Sequence, residues 1–274
     1  MSDAAIQIEN VYVDYPVAGH SPRAVLDGVS LDIESGEFVA IVGETGCGKS
    51  TLLRLILGEE KPTRGRVLVN GFERSQPDRH CGYVPQKYSL FPDKTVLDNV
   101  TFGPEVTAFG AWSFLRMLNP KHMRGLRAEA LRYLRHTGLN ESDSRKYPHQ
   151  LSGGMQQRVA IAQALIMKPP ILLMDEAFSA LDPATRAGMQ RLIKTLWRES
   201  GATIVFVTHN TREAVCLGTR VIALAKDSRG AGGSSIALDL PVPDLDFDSS
   251  EREVGGLIRE VESATVRESP LVYN

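Results

Sequence analysis

Cysteine is scarce in this sequence, and the few cysteines lie far apart. The 274 residues include three, Cys47, Cys81 and Cys216, without the paired spacing that zinc sites and redox dithiols use. The start of the chain carries no basic stretch followed by an apolar run, so nothing there indicates export. An odd number of cysteines without an export signal is typical of a protein kept in a reducing cytoplasm.

Long hydrophobic runs are also missing. A membrane-spanning helix needs about 18 consecutive apolar residues. The best candidates, Phe38–Val42, Ile171–Met174 and Ile204–Val207, have only the length of buried strands. We therefore expect that any membrane role is carried out from one side of the membrane.

Neither sign of charge is in clear excess. The formal net charge is -2, with 42% hydrophobic and 23% charged residues, which is ordinary for a soluble globular protein. Because the chain as a whole offers no positive field, we expect no nucleic acid partner.

Short apolar runs alternate with helical patterns along most of the chain. This order favours an α/β fold with a mostly parallel core sheet flanked by helices. Up to about residue 33, apolar and polar residues alternate, which indicates an N-terminal antiparallel β subdomain. Residues 96–150 are mostly basic and helical in pattern, so we interpret them as an inserted helical subdomain. The predicted main domain is 1–226.

The composition changes after residue 226. Residues 227–274 hold ten acidic and four basic residues and include a glycine-rich run at 229–235. We interpret 227–274 as an acidic, partly flexible C-terminal extension. Two forms are open: a mostly flexible terminus with one helix near 250–261, or a small packing or dimer-contact element.

A glycine-rich loop lies between the apolar run Phe38–Val42 and a helical pattern. It fits G-x-x-x-x-G-K-[ST], and with the next residue it gives nine predicted nucleotide-binding residues: Gly43, Glu44, Thr45, Gly46, Cys47, Gly48, Lys49, Ser50 and Thr51. The glycines let backbone N–H groups converge on phosphate oxygens, and the following helix adds its positive dipole end.

Within this loop, we expect Lys49 to reach the β- and γ-phosphates and Ser50 to bind Mg²⁺. The alternative is a glycine-rich turn with a solvated lysine. The nearby helix N-terminus is also expected to favour the thiolate of Cys47. We interpret Cys47 as a small residue that the loop tolerates, rather than as a regulatory one.

Two carboxylates end the apolar run Ile171–Met174. Asp175 could hold Mg²⁺, while Glu176 could orient and deprotonate the attacking water. The alternative is a solvated acidic pair after a core strand.

Residues 151–158, Leu-Ser-Gly-Gly-Met-Gln-Gln-Arg, strongly resemble the signature of ABC ATPases, with Met155 where glutamine is commonest. Alone, Ser-Gly-Gly is an ordinary helix cap and turn. Here it stands in order between a phosphate loop and a carboxylate pair. The resemblance implies a P-loop NTPase of ABC type that uses ATP and Mg²⁺. Ser152, Gly153 and Gly154 would bind nucleotide.

The resemblance covers about residues 6–226. Gln86 resembles the glutamine that touches Mg²⁺ or water and senses the membrane partner. Asp182 ends a stretch similar to the loop that crosses the dimer, and the resemblance implies that it also contributes to nucleotide binding. His209 resembles the switch histidine on the γ-phosphate. Tyr15 resembles the aromatic that stacks on adenine, with Tyr12 as a competing candidate. The resemblance thus implies these catalytic residues: Lys49, Gln86, Glu176 and His209. The implied Mg²⁺ residues are Ser50, Gln86 and Asp175.

Ala177 and Asn210 replace a proline and an aspartate that are common in the family, but neither change removes a catalytic group. The stretches 178–182, 189–190 and 196–201 look like the nitrate/sulfonate/taurine importer ATPases. The resemblance implies a head-to-tail dimer with ATP sandwiched between a phosphate loop and the other copy's signature. The partner copy could also be a paralogous subunit.

Further partners implied are separate transmembrane permease subunits, through a groove near Gln86 and 88–100, and a solute-binding protein. The implied location is peripheral, on the cytoplasmic face of the inner (plasma) membrane. The alternatives are an exporter or lipid-trafficking ATPase, a soluble non-transport ABC ATPase, and a regulatory module that does not turn over.

Overall fold

The computed structural model describes residues 4–19, 21–87, 90–109, 120–226, 232–247, 249 and 251–265. These residues contain strands β1 to β10, which in chain order are Ala4–Tyr15, Arg23–Glu34, Phe38–Val42, Arg64–Val69, Phe72–Glu73, Cys81–Val84, Ile171–Asp175, Thr203–Val207, Arg220–Lys226 and Ser234–Pro241. All of them join one sheet in the order β5-β4-β1-β2-β10-β9-β3-β8-β7-β6.

Seven α-helices occur in the same described residues. In chain order, α1 to α7 are Lys49–Leu57, Val96–Phe109, Pro120–His136, Gly153–Leu165, Pro183–Ser200, Thr211–Leu217 and Glu251–Thr265. Short 3₁₀ helices at Glu141–Arg145 and Pro148–Gln150 precede α4. None of the described helices is both long enough and apolar enough to cross a membrane.

The sheet has a parallel half and an antiparallel half. Strand β3 pairs in parallel with β8 and β9, and β7 pairs in parallel with β8 and β6. Strand β1 pairs antiparallel with β2 and β4. The predicted α/β class, with a mostly parallel core sheet and antiparallel N-terminal strands, is confirmed.

Strand β3 shows why the apolar runs are continuous rather than alternating. Its residues Val39 and Ile41 pack into a core on one face of the sheet, together with α1. Phe38, Ala40 and Val42 pack into a second core on the opposite face, with α5 and α6. Because both faces of the strand are covered, every side chain is buried. A third cluster lies between α2, α3 and α4.

The parallel strands bring the predicted site residues to one edge of the sheet. Strand β3 ends at the glycine-rich loop, β7 ends at Asp175, β8 ends just before Thr208, and β6 ends just before Pro85 and Gln86. In parallel sheets the carboxyl ends of neighbouring strands meet along one edge, where ligands bind. The fold therefore gathers residues that lie up to 166 positions apart, from Gly43 to His209.

The described part of the C-terminal extension is in contact with the main sheet. Strand β10 pairs antiparallel with β9 and meets β2 at Ser234 and Leu26. The predicted boundary at 226 thus falls between two paired strands. Helix α7 buries Val254 and Val261 completely, and it overlaps the helix expected near 250–261. Residues 229–231 and 250, also part of those expectations, lie outside the described residues. The domain division itself stays a prediction.

Candidate active site

The glycine-rich loop adopts a backbone that needs its glycines. Gly43, Gly46 and Gly48 have φ angles of 154°, 77° and 95°, in the region that disfavours other residues. A Cβ on Gly43 would lie 2.4 Å from the Leu224 carbonyl oxygen, and one on Gly48 would lie 2.7 Å from Leu26 Cδ2. Both positions leave no room for a side chain. Gly48 also occupies the N-cap position of α1.

Lys49 is the first residue of α1, and its side chain returns to the loop. The residue is 6% exposed, and its ammonium donates to the carbonyl oxygens of Gly43 at 2.7 Å and Glu44 at 2.9 Å. These contacts hold a cation next to the backbone N–H groups of the loop. Such a site attracts phosphate.

A cavity of about 470 Å³ opens beside this loop. The residues that line it are Tyr15, Val17, Arg23, Val25, Thr45, Gly46, Gly48, Lys49, Ser50, Thr51, Gln86 and Glu176. The structure therefore brings together the predicted adenine-stacking tyrosine, most of the phosphate loop and three of the four predicted catalytic residues, Lys49, Gln86 and Glu176. Arg23 and Val25 were not predicted here; the alternation of apolar and polar residues along β2 was the only available signal, and it does not indicate a ligand.

Of the two tyrosines considered for stacking, Tyr15 lines the cavity and Tyr12 does not. The Tyr12 ring is covered by the Arg64 guanidinium, whose carbon lies 3.9 Å from the ring centroid. The Tyr15 hydroxyl donates to Glu60 at 2.5 Å. Burial, followed by this hydrogen bond to Glu60, raises the pKa of Tyr15. The contact orients the ring from outside the cavity.

Asp175 ends β7 beside the phosphate loop. It is 4% exposed, and the Ser50 side chain is among the groups that influence its carboxyl group. Burial raises its pKa, and the Ser50 contact opposes that effect. Its Oδ1 is buried and has no hydrogen-bond partner among the described residues. A buried carboxylate oxygen without a partner is costly unless a ligand meets it.

Glu176 lies at the meeting point of three strand ends. The Gln86 amide donates to its Oε2 at 2.9 Å, and His209 Nδ1 lies 3.4 Å from its Oε1. Its backbone N–H donates to the Val207 carbonyl at 2.9 Å. The backbone of Glu176 is left-handed, with φ of 45°. The sequence could not reveal that geometry, because glutamate rarely adopts it.

The signature residues lie on a different part of the surface. Ser152 caps α4, its hydroxyl accepting from the Met155 N–H at 3.3 Å. A Cβ on Gly154 would lie 3.4 Å from the Ala180 carbonyl oxygen, so the signature packs beside the loop that ends at Asp182. Asp182 caps α5, and its hydrogen bond to Thr185 lowers its pKa. Among the described residues that line the cavity, none belongs to 152–154 or 182.

Cys47 corrects one expectation. Its thiol is 1% exposed, and burial raises its pKa, an effect larger than the opposing influence of Lys49. The expected stabilisation of the thiolate is therefore wrong. The helix N-terminus was visible in the sequence, whereas the burial of the thiol was not.

Comparison with known proteins now adds to this geometry. A model of the ABC transporter family matches residues 26–179. The chain belongs to that family. It is an ATP-binding and ATP-hydrolysing subunit of an ABC transport system, and the predicted family, fold and ATPase activity are confirmed.

Two relatives illustrate how far the similarity extends. The aliphatic sulfonates import ATP-binding protein SsuB 3 of Pseudomonas savastanoi pv. phaseolicola is 42% identical over 221 residues, which is 81% of this chain and 74% of that protein. The taurine import ATP-binding protein TauB of Roseobacter denitrificans is 37% identical over 249 residues, 91% of this chain and 87% of that protein.

A solved structure shares the fold. The ATP-binding cassette MJ0796, in a dimeric post-hydrolysis state bound to ADP and Pi, superposes with a TM-score of 0.73 at 33% identity. The superposition covers 87% of this chain and 99% of that one.

Proposed function

We propose that this chain powers the import of a small solute of the nitrate/sulfonate/taurine type. In this proposal two copies bind head to tail, and the dimer drives separate membrane permease subunits that receive the solute from a solute-binding protein. The relatives described above, named as sulfonate and taurine importer subunits, support the solute class. The subunit would lie peripherally on the cytoplasmic face of the inner membrane.

The observation that carries the dimer is the incompleteness of the cavity. One face offers the phosphate loop, Gln86 and Glu176, while Ser152 and Gly154 present a hydroxyl and a helix N-terminus elsewhere on the surface. A helix N-terminus with a hydroxyl suits an anion. Two copies related by a two-fold axis would bring each signature onto the other's nucleotide. ATP then holds the interface together, and its hydrolysis loosens that interface.

The groups at the strand ends have distinct roles in this proposal. Lys49 offsets the charge of the β- and γ-phosphates, which stabilises the transition state electrostatically. Glu176 accepts the proton of the attacking water. Gln86 and His209, both in contact with the Glu176 carboxylate, fix its direction, and His209 also meets the γ-phosphate.

The residues present fit a magnesium ion. Mg²⁺ is usually held by one or two carboxylates together with substrate phosphates and waters. The unpartnered Oδ1 of Asp175, the Ser50 hydroxyl and the Gln86 amide would hold it. When bound, it neutralises phosphate charge. No cluster of three or more His, Cys, Asp or Glu suited to a metal occurs in the part of the chain that the structure describes.

A second cavity, of about 560 Å³, is the proposed permease site. It lies between β6, α2 and α4 and reaches Pro85, the neighbour of Gln86. Its wall includes Phe102 and the exposed Val106. An apolar helix of a permease would bury these side chains and press on the segment that carries Gln86. Residues 88 and 89 of the groove expected from the sequence lie outside the described residues.

Co-purification followed by uptake tests the proposal. The tagged full chain, isolated from solubilised membranes, should bring with it multi-span permease chains. The complex in sealed vesicles should accumulate taurine, an alkylsulfonate or nitrate when ATP and a co-purified solute-binding protein are supplied, and a Glu176→Gln complex should not. Isolation without any membrane chain, or export of the solute from the vesicles, would contradict the proposal.

A further inference from the structure

The loop that carries His209 is fixed from behind by a buried carboxyl group. The Thr208 hydroxyl donates to Glu213 Oε2 at 2.7 Å, and the Asn210 N–H donates to Thr208 Oγ1 at 3.0 Å. Thr208 is 2% exposed and Glu213 is 8% exposed. Both neighbours of His209 are therefore joined to the same hydrogen-bond chain.

The other oxygen of Glu213 connects to a different helix. Gln190, on α5, donates from Nε2 to Glu213 Oε1 at 3.0 Å and is 4% exposed. Helix α5 begins at Pro183, directly after its N-cap Asp182, which ends the loop proposed to cross the dimer. Each carboxyl oxygen of Glu213 thus accepts one bond: one from the His209 loop and one from the helix that leads to the dimer interface.

The backbone of Glu213 adds a third connection. Its N–H donates to Asn210 Oδ1 at 3.1 Å, which caps α6 directly after His209. The His209 side chain is 62% exposed, and its Nδ1 lies 3.4 Å from Glu176. Because the exposed His209 ring has few packing contacts, the backbone of residues 208–210 determines its position.

From this geometry we infer that Glu213 is a positioning residue for His209, and that its bond to Gln190 links His209 to α5. The inference rests on the proposed role of His209 at the γ-phosphate. Glu213 touches neither nucleotide nor water. Removing its carboxyl group leaves the Thr208 hydroxyl and the Gln190 amide as buried donors without an acceptor, which the loop can relieve only by moving.

The chemistry of the side chains provides a conservative rescue. In a Glu213→Gln variant, the new amide oxygen can accept from Thr208. Its NH₂ group can donate to Gln190 once the Gln190 amide rotates to present its oxygen. Both connections survive, so the position of the His209 loop is retained although the carboxyl group is gone. Glu213→Ala retains neither. Thr208→Val keeps the shape of the threonine, removes its bonds to Glu213 and to the Asn210 N–H, and leaves the bond between Glu213 and Gln190 in place.

Lys194 supplies a matched control. Its ammonium, 4% exposed as a residue, donates to the Cys216 carbonyl at 2.8 Å, so it also connects α5 to α6. It has no bond to Thr208 or Glu213 in the described structure. Lys194→Gln therefore disturbs the same helix pair without releasing the His209 loop.

The experiment measures kcat, the Kd for ATP and the urea midpoint of each full-length variant, with turnover assayed in the assembled transport complex. Glu213→Ala and Thr208→Val should each lower kcat by roughly 10- to 100-fold, the cost of misplacing a group by about 1 Å. The Kd for ATP should not change. Glu213→Gln should keep most of kcat, and the double variant Thr208→Val/Glu213→Ala should lose no more than either single one. Lys194→Gln should lower the urea midpoint alone.

Several results would overturn the inference. Glu213→Ala and Thr208→Val could lower the urea midpoint as Lys194→Gln does and yet keep kcat, which would make the network merely structural. Additive losses in the double variant would show two separate effects. His209→Ala separates a failure of the premise from a failure of the inference. If His209→Ala keeps wild-type kcat, the role proposed for His209 fails. If His209→Ala is inactive while Glu213→Ala keeps wild-type kcat, only the inference about Glu213 is refuted.

Discussion

The left-handed backbone of Glu176 allows a test in which the usual order of stability, with the alanine variant above the glycine variant, is reversed. Its φ is 45°, and a non-glycine residue in that region costs roughly 1–2 kcal/mol. Glycine carries no such cost but loses about 0.5–1 kcal/mol more conformational freedom on folding than alanine. Glu176→Gly should therefore be more stable than Glu176→Ala by about 0.5–1 kcal/mol.

The comparison isolates the backbone. Both variants lose the contacts with Gln86 and His209, so those losses cancel in the difference. Urea unfolding of the full chain without nucleotide would measure the difference in unfolding free energy between the two variants. In thermal unfolding, the expected difference in Tm is about 1–4 °C, since 1 kcal/mol moves Tm by roughly 2–4 °C in domains of 150–250 residues.

Gly188 provides a control position at which alanine should be more stable than glycine. It lies exposed within α5, with open space where a Cβ would be. Gly188→Ala should stabilise the chain by about 0.5–1 kcal/mol, as helix propensity predicts. If Glu176→Ala were as stable as Glu176→Gly while Gly188 behaved normally, the strain at Glu176 would be refuted. Neither variant at 176 should hydrolyse ATP.

Four other predictions follow from the structure. Glu176→Gln should still bind ATP but turn over roughly 10²–10⁴ times more slowly, whereas Lys49→Ala should weaken binding itself; wild-type turnover of the glutamine variant in the assembled complex would contradict the role of Glu176. ATP with hydrolysis blocked should double the mass seen by light scattering, and ADP should not. Cys47, being buried, should react slowly with a bulky maleimide, Mg-ATP should protect it, and the labelled chain should lose ATPase activity. Asp143 has a pKa lowered first by its bond to Lys146, so Asp143→Asn should destabilise the chain at neutral pH; that difference should begin to shrink as the pH falls below about 4 and should disappear below the lowered pKa of the folded state.

The sequence could predict the parallel core because its signals are local and ordered. The apolar run Phe38–Val42, the glycine loop and the following helix are consecutive in the sequence, so their order determines a strand, a phosphate loop and a helix in that arrangement. Predicting the signature as half of a site depended on family resemblance. The hydrophobic pattern does not show that Ser152 and Lys49 lie in different parts of the structure, because both stand at loop-to-helix junctions with similar anion-binding chemistry.

Other features depend on contacts between distant residues and were not predictable. Strand β10 lies between β2 and β9, although the composition after 226 indicated a separate extension. The polar residues near its far end explain part of this packing. Lys194 forms ion pairs with Asp244 at 2.9 Å and Asp246 at 3.4 Å, and it donates to the Leu245 carbonyl. A sequence shows acidic residues here, but not the buried lysine on α5 that pairs with them.

In the proposed mechanism, hydrolysis would depend on both partners, because the Glu176 carboxylate is held from two directions. Gln86 reaches it from the strand end beside the proposed permease cavity, and His209 reaches it from a loop joined through Glu213 to α5. One contact would therefore report on the membrane partner and the other on the second copy. A left-handed backbone at Glu176 lets the side chain meet both while its N–H stays bonded to Val207. In the proposed mechanism, the strain at this one residue is the cost of placing a single base where both partners would control its direction.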